Sequence, residues 1–208
     1  QLVRQKTTQL LSIKNLLMRN LGRDTPSYTI KTWTAEQVAA LPLLPEQLLA
    51  LQANWTVMQA LAQQIQAVEA ELLRQLKPCK DFQLLKTVSG IGDILSMTIC
   101  LETGDITRFD SCGNFTSYAR MVTSKRESNG KKKGEGNRKC GNRYLCWAFM
   151  EAAHFAIGSD ELIKRFYQRK CAKNLKVVAM KAVAHKLARA CYNMLKDGVE
   201  FDVKRAFN

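Results

Sequence analysis

The sequence predicts a mainly α-helical chain. A helical, coiled-coil arm over 1–77 precedes a compact helical domain over 78–197, which contains a helix-hairpin-helix-like element and a basic loop; a tail covers 198–208. Three observations point there. Apolar residues recur every three or four positions along most of the chain, the period of a helix with one buried face. Only 4 prolines and 11 glycines interrupt 208 residues, of which 46% are hydrophobic, enough to build a core. The prolines Pro26, Pro42, Pro45 and Pro78 stand where helices begin or break rather than inside them.

In the arm, Leu2, Leu10, Ile13, Leu17 and Leu21 mark a helix over 1–22 that Gly22 stops. Residues 23–33, with Pro26 and several β-branched residues, read as a connector. Thr34 is a good N-cap for a short helix ending near Leu41. Pro45 opens the longest helix, to about Lys77. Its Leu44, Leu48, Leu51, Trp55, Met58, Ala62, Ile65, Val68 and Leu72 lie three or four apart, close to a heptad seam. No Lys or Arg falls between Pro45 and Arg74. Such an element joins by apolar contact, either within its own domain or as a helical hairpin with 1–22 that serves as a dimerisation arm.

Beyond Pro78 the pattern gives helices over 80–87, 93–103, 111–118, 139–157, 160–172 and 175–197. A turn lies at 88–92 and a basic loop at 120–138. Gly198 stops the last helix, and the tail is expected to be loosely held.

Charge is concentrated in this second half. The chain carries +14; residues 1–77 hold 8 Lys/Arg against 5 Asp/Glu, and residues 78–208 hold 24 against 13, giving +3 and +11. A balance of that size draws polyanions by counterion release. No apolar run is long enough to span a membrane, and no signal-peptide pattern opens the chain. Seven cysteines, an odd number, show no zinc or redox spacing, which points to reduced thiols and the cytoplasm. The chain begins with Gln1 inside a helical pattern, so it reads as part of a longer protein whose N-terminal portion is missing.

Three segments carry chemistry. In Leu84-Leu85-Lys86-Thr87-Val88-Ser89-Gly90-Ile91-Gly92-Asp93, two glycines flank an apolar residue between helices. Gly90 and Gly92 let the backbone turn tightly and approach another backbone, and the following helix offers free amides to a phosphate. A tight helix–helix turn without a ligand explains the same string. The loop from Lys125 to Lys139 holds Lys125, Arg126, Lys131, Lys132, Lys133, Arg138 and Lys139 against Glu127 and Glu135, with three glycines. It suits a segment that folds around a phosphate backbone, or a solvated linker. Ser128 lies inside it without an obvious general base, so composition alone leaves it an ordinary loop serine. Finally, Gly141-Asn142-Arg143 opens a helix where Asn142 can cap and Arg143 can meet a phosphate. His154 and His185 read as structural. Glu102 and Asp105 read as turn or capping residues, and no metal ligands are assigned.

Taken in order, Ser89-Gly90-Ile91-Gly92, Glu102-Thr103-Gly104-Asp105-Ile106, Phe109, Ser111, Phe115, Tyr118, Ser128-Asn129-Gly130-Lys131, Gly136, Lys139, Gly141-Asn142-Arg143 and Glu151-Ala152-Ala153 form a pattern. It resembles the C-terminal domain of insertion-sequence one-ten/eleven-eleven transposases, which the pilin-gene inverting recombinases share. The resemblance covers 84–197, and more loosely the linker before it. The family commonly has proline at Ser89, glycine and leucine at Arg120-Met121, and glycine at Asn129.

The resemblance implies a bacterial, cytoplasmic DNA recombinase in two parts. A RuvC-like domain with four acids for Mg2+ would precede this chain, and the C-terminal domain would supply a serine that joins covalently to DNA. By position that serine is Ser128, with Ser124 second. The resemblance further implies DNA and a structured guide RNA as partners, in a homo-oligomer, dimer or tetramer. From the residues themselves the alternatives are a non-catalytic helix-hairpin-helix DNA-binding module and an RNA-binding scaffold.

Overall fold

A computed structural model describes residues 1–122, 125–135 and 140–207, with the backbone alone for 125–127 and 132–135. The fold is mainly α. Its contacts divide the chain into two units, Gln1–Glu71 and Leu72–Asn208.

In the first unit, α1 (Leu2–Leu21), α2 (Ser27–Thr32), α3 (Ala35–Ala39) and the first half of α4 (Pro45–Leu76) share one apolar cluster. Leu10, Ile13 and Leu17 of α1 meet Ile30, Val38, Leu51 and Met58 there. The segment 23–33, read as a connector, contains the one-and-a-half-turn helix α2. Thr29 and Ile30 donate their amides to the Pro26 carbonyl, and Ile30 is fully buried. Burial of one side chain outweighs the weak helix preference of its β-branched neighbours. Thr34 caps α3 in a reciprocal arrangement with Gln37. Beyond Met58 no residue of α4 is buried.

The second unit is built on α10 (Lys176–Asp197), which packs against α8 (Arg143–Ser159), α9 (Glu161–Cys171), α7 (Cys112–Tyr118) and α5 (Lys80–Lys86). Helix α6 (Asp93–Thr103) lies on α8. Small residues make this close packing possible: Ala148, Ala152, Ala153 and Ala156 of α8, and Ala179, Ala184 and Ala188 of α10, are completely buried. Around them an aromatic cluster joins Phe109, Phe115, Tyr118, Phe149 and Tyr192. The Tyr192 hydroxyl donates to the Phe109 carbonyl at 3.0 Å, so the polar end of a buried ring is satisfied.

Two expectations are corrected. The segment 125–135, read as part of a loop, is an antiparallel hairpin of β1 (Lys125–Ser128) and β2 (Lys131–Glu135). Asn129 and Gly130 between the strands both have positive φ, 57° and 71°, the signature of the type I′ turn whose twist matches paired strands. The tail is also not loose. Helix α11 (Val203–Phe207) is capped by Asp202, whose Oδ1 accepts from the amides of Lys204 and Arg205. Phe207 is buried edge-to-face on Phe166, and Lys186 Nζ donates to the Ala206 carbonyl at 2.8 Å. An aromatic anchor and a part-buried ammonium contact hold what composition alone leaves free.

Candidate functional site

On either side of the hairpin segment in sequence, the described chain up to Val122 and from Cys140 onward is joined to itself. The Asn142 amide donates to the Tyr118 carbonyl at 2.6 Å, and Arg120 Nε donates to the Gly141 carbonyl at 2.9 Å. Asn142 Oδ1 accepts from the amides of Tyr144 and Leu145, capping α8 as its sequence position suggests. Its Nδ2 turns the other way, toward Glu102 Oε2 at 2.5 Å and the Tyr118 hydroxyl at 3.4 Å. One side chain thereby ties the end of α6, the end of α7 and the start of α8 together below the hairpin. Arg108 stacks over the rings of Phe109 and Tyr118, 4.6 and 4.9 Å from their centroids. The hydrogen bond from Asn142, and then Arg108, hold the Tyr118 phenol below its ordinary range.

At the far end of the hairpin, Ser128 pairs in register with Lys131 across the Asn129-Gly130 turn. Ser128 and Lys131 are exposed. Among the described residues none bonds the Ser128 hydroxyl. Lys125, Arg126, Lys132 and Lys133 lie on the two strands, where only their backbone is described. Ser124, Arg138 and Lys139 lie outside the described residues. Arg143, the first residue of α8, stacks on Tyr144 and donates to its hydroxyl at 2.7 Å.

The turn between α5 and α6 separates its two glycines. Gly90, at φ +88°, touches α8: a Cβ there would stand 2.5 Å from the Ala152 carbonyl oxygen and 2.6 Å from the Ala156 nitrogen. Gly92 has nothing within 4 Å of such a Cβ. It faces an open groove of about 670 Å³, lined by Lys86, Ile94 and Phe155 among others, and no side chain caps the α6 amides behind it. The groove is not purely positive. Asp93, in the first turn of α6, pairs with Lys86 of α5 at 2.5 Å, so much of that lysine's charge is already balanced. The structure thus brings Asn142 and Arg143 to the hairpin's root and leaves Gly90 as a packing residue.

Asp105 is a cap, accepting from the Thr107 amide at 2.8 Å. Glu102 is not: it reaches Asn142, 40 residues away in sequence. This Glu102–Asn142–Tyr118 linkage is what sequence reasoning missed, since no local spacing signals it. The hairpin did carry a signal, the Asn-Gly dipeptide. Among the described residues no group of three His, Cys, Asp or Glu converges, and no helix is long and apolar enough to cross a membrane.

Residues 82–168 match the model of the IS116/IS110/IS902 transposase family, so this region of the chain is similar to a transposase domain of that family. A Streptomyces coelicolor protein, the insertion element IS110 uncharacterized 43.6 kDa protein, is 24% identical over 144 residues. The match covers 69% of this chain and 36% of that protein, so the chain spans about a third of its relative's length.

Proposed function

We propose that the chain is the C-terminal part of a bacterial insertion-sequence DNA recombinase in which Ser128 is the nucleophile. The observation that carries this reading is an exposed serine at the tip of a hairpin, opposite Lys131, in a region that matches a transposase family.

In this reading the Ser128 Oγ attacks a backbone phosphorus. The Oγ–P bond forms and one P–O ester bond of the DNA breaks. The serine proton leaves to a base or water, and the departing DNA oxygen is protonated to a free hydroxyl. The phosphoserine diester keeps the energy of the broken link, so a second DNA hydroxyl can reverse the step and join a new strand. Lys131 and the other cations of the strands stabilise the added charge on phosphorus. A RuvC-like domain with four acids, working beside this one, would hold the Mg2+ that activates the phosphate. A structured RNA would choose target and donor by base pairing, leaving the protein to read backbone and shape. The half-buried stripe of Leu61, Ile65 and Leu72 on distal α4 would pair with a second copy, making a dimer or a pair of dimers. The setting is the bacterial cytoplasm.

The open groove at Gly92 favours a second reading, a helix-hairpin-helix module that grips DNA without cutting it. A nicked suicide substrate separates the two. The full-length enzyme should trap a covalent adduct that maps to Ser128 and vanishes in Ser128→Ala. Recombination by Ser128→Ala at the unaltered rate would move the chemistry elsewhere, with Ser124 the next residue to test. Salt-dependent DNA binding with no adduct from any variant would favour the gripping module.

A further inference from the structure

Away from the hairpin, α10 carries a basic stripe. Lys181, His185 and Arg189 are spaced by four residues and so share one face of the helix. Lys170 on the last turn of α9 and Arg205 on α11 are exposed beside them. Where α10 meets α11, a cavity of about 230 Å³ opens, lined by Lys186, Arg189, Asn193, Phe201 and Arg205. Glu200 and Asp202 also reach its wall. Asp202 is already used by the amides of Lys204 and Arg205.

These cations crowd one another instead of pairing with acids. Burial, and then Arg189 and Lys181, hold His185 below its ordinary value. Lys186 is depressed by burial, then by Arg189, Arg169 and Lys170. Ion pairs join Lys14 to Asp24, Lys86 to Asp93, and Lys164 and Arg165 to Glu161. None involves the stripe. The contrast on α9 is instructive, because its solvent face pairs Lys164 and Arg165 with the one carboxylate of Glu161. A merely solvated face intersperses both signs. Like charges left together destabilise the fold and are relieved when a polyanion binds.

We propose that the α10 stripe and the cleft at its end form a second DNA-backbone site, separate from the hairpin, that holds a duplex segment by its phosphates. The proposal rests on the transposase reading and adds residues that reading does not use. Lys181, Arg189 and Arg205 are the phosphate ligands. Lys186 is a structural residue, since its ammonium is engaged by the Ala206 carbonyl and the rings of Phe166 and Phe207.

The test is the triple variant Lys181→Gln, Arg189→Gln, Arg205→Gln, measured by fluorescence anisotropy on a labelled duplex across a salt series. Each lost phosphate contact lowers the slope of log affinity against log salt by about 0.9. The slope should therefore become shallower by about 2.7, and affinity at ~0.1 M salt should fall by roughly a hundredfold. The charge-preserving variant Lys181→Arg, Arg189→Lys, Arg205→Lys should restore both. Unchanged slope and affinity would overturn the proposal, as would a loss confined to structured RNA with duplex binding intact. The Ser128 adduct at saturating DNA should survive the triple variant. If the unaltered chain bound no duplex at all, the transposase reading would fail first. If it bound and the variant bound equally well, only the stripe would fall.

Discussion

Gly90→Ala is the sharpest probe of how the second unit is held together. Two costs add at this position. The first is conformational: an alanine at φ +88° sits in the left-handed half of backbone space, at a cost of about 1–2 kcal/mol. The second is steric. The new methyl would stand 2.5 Å from the Ala152 oxygen, 2.6 Å from the Ala156 nitrogen and 3.0 Å from the Ala156 Cα. All three are backbone atoms of α8, so no side chain can swing aside and the turn itself must move. Overpacking of that kind costs about 1–3 kcal/mol. Together these give roughly 2–5 kcal/mol, a large part of the ~5–15 kcal/mol that holds a typical domain.

A thermal melt followed by circular dichroism, with a urea series beside it, reads the effect. Each kcal/mol moves the midpoint of a unit this size by about 3–5 °C, so a fall on the order of 10 °C or more is expected. Gly92→Ala is the internal control. Its backbone is ordinary and its added methyl meets open space, so it should cost less than about 1 kcal/mol. Equal melting of Gly90→Ala and the unaltered chain would mean that the turn does not lie against α8 as described.

Three further outcomes follow from the same geometry. Asn142→Ala removes the cap of α8 and the link to Glu102, and should lower stability by about 1–2 kcal/mol in a urea titration, with Asn142→Asp recovering only the capping part. Phe207→Ala empties a buried place against Phe166 and should cost about 3 kcal/mol in the same titration; a neutral result would show that the C-terminal helix does not dock. The third concerns alkali. Burial, with Cys79 beside it, pushes the Cys100 thiol up to about 12, and burial alone pushes Cys191 to about 12, from an ordinary 9.0. The unfolded thiols thus lose their protons first, so this contribution is complete below pH 9.0 and is lost as pH rises toward 12. Urea midpoints across that window should fall, and Cys191→Ala should flatten the decline.

Helices were legible because their determinants are local. The apolar spacing in α10, the Asn142 cap and the stop at Gly198 each act within a few residues. What was hidden depends on distant parts of the chain. Ile30 forms part of a helix because Leu10, Ile13 and Leu17 lie above it in the same cluster. Phe207 is ordered because Phe166 waits for it. Glu102 meets Asn142 across 40 residues, a pairing no local pattern encodes. The hairpin is a different case, since Asn129-Gly130 is a local signal, but the surrounding charge and glycine content mask it.

The hairpin's backbone bears on the proposal that Ser128 is a nucleophile. Two features of the described backbone bear on it, one at the turn and one in the residues that flank the segment. At the tip, two consecutive positive φ values define a type I′ turn and fix Ser128 opposite Lys131. At the root, Arg120 is itself left-handed at φ 58°, a strained conformation for a side chain of its kind. Its Nε bond to the Gly141 carbonyl offsets that strain and clasps the two sides of the excursion. Arg120 and Asn129 are also the positions where the resembling family commonly has glycine. The backbone shape therefore asks for glycine at both places, and this chain meets the demand with one residue that tolerates the left-handed region and another that recovers the cost through a hydrogen bond. If Ser128 is the nucleophile proposed above, the tight turn fixes its place in register opposite Lys131, a preorganisation that attack on a phosphodiester requires.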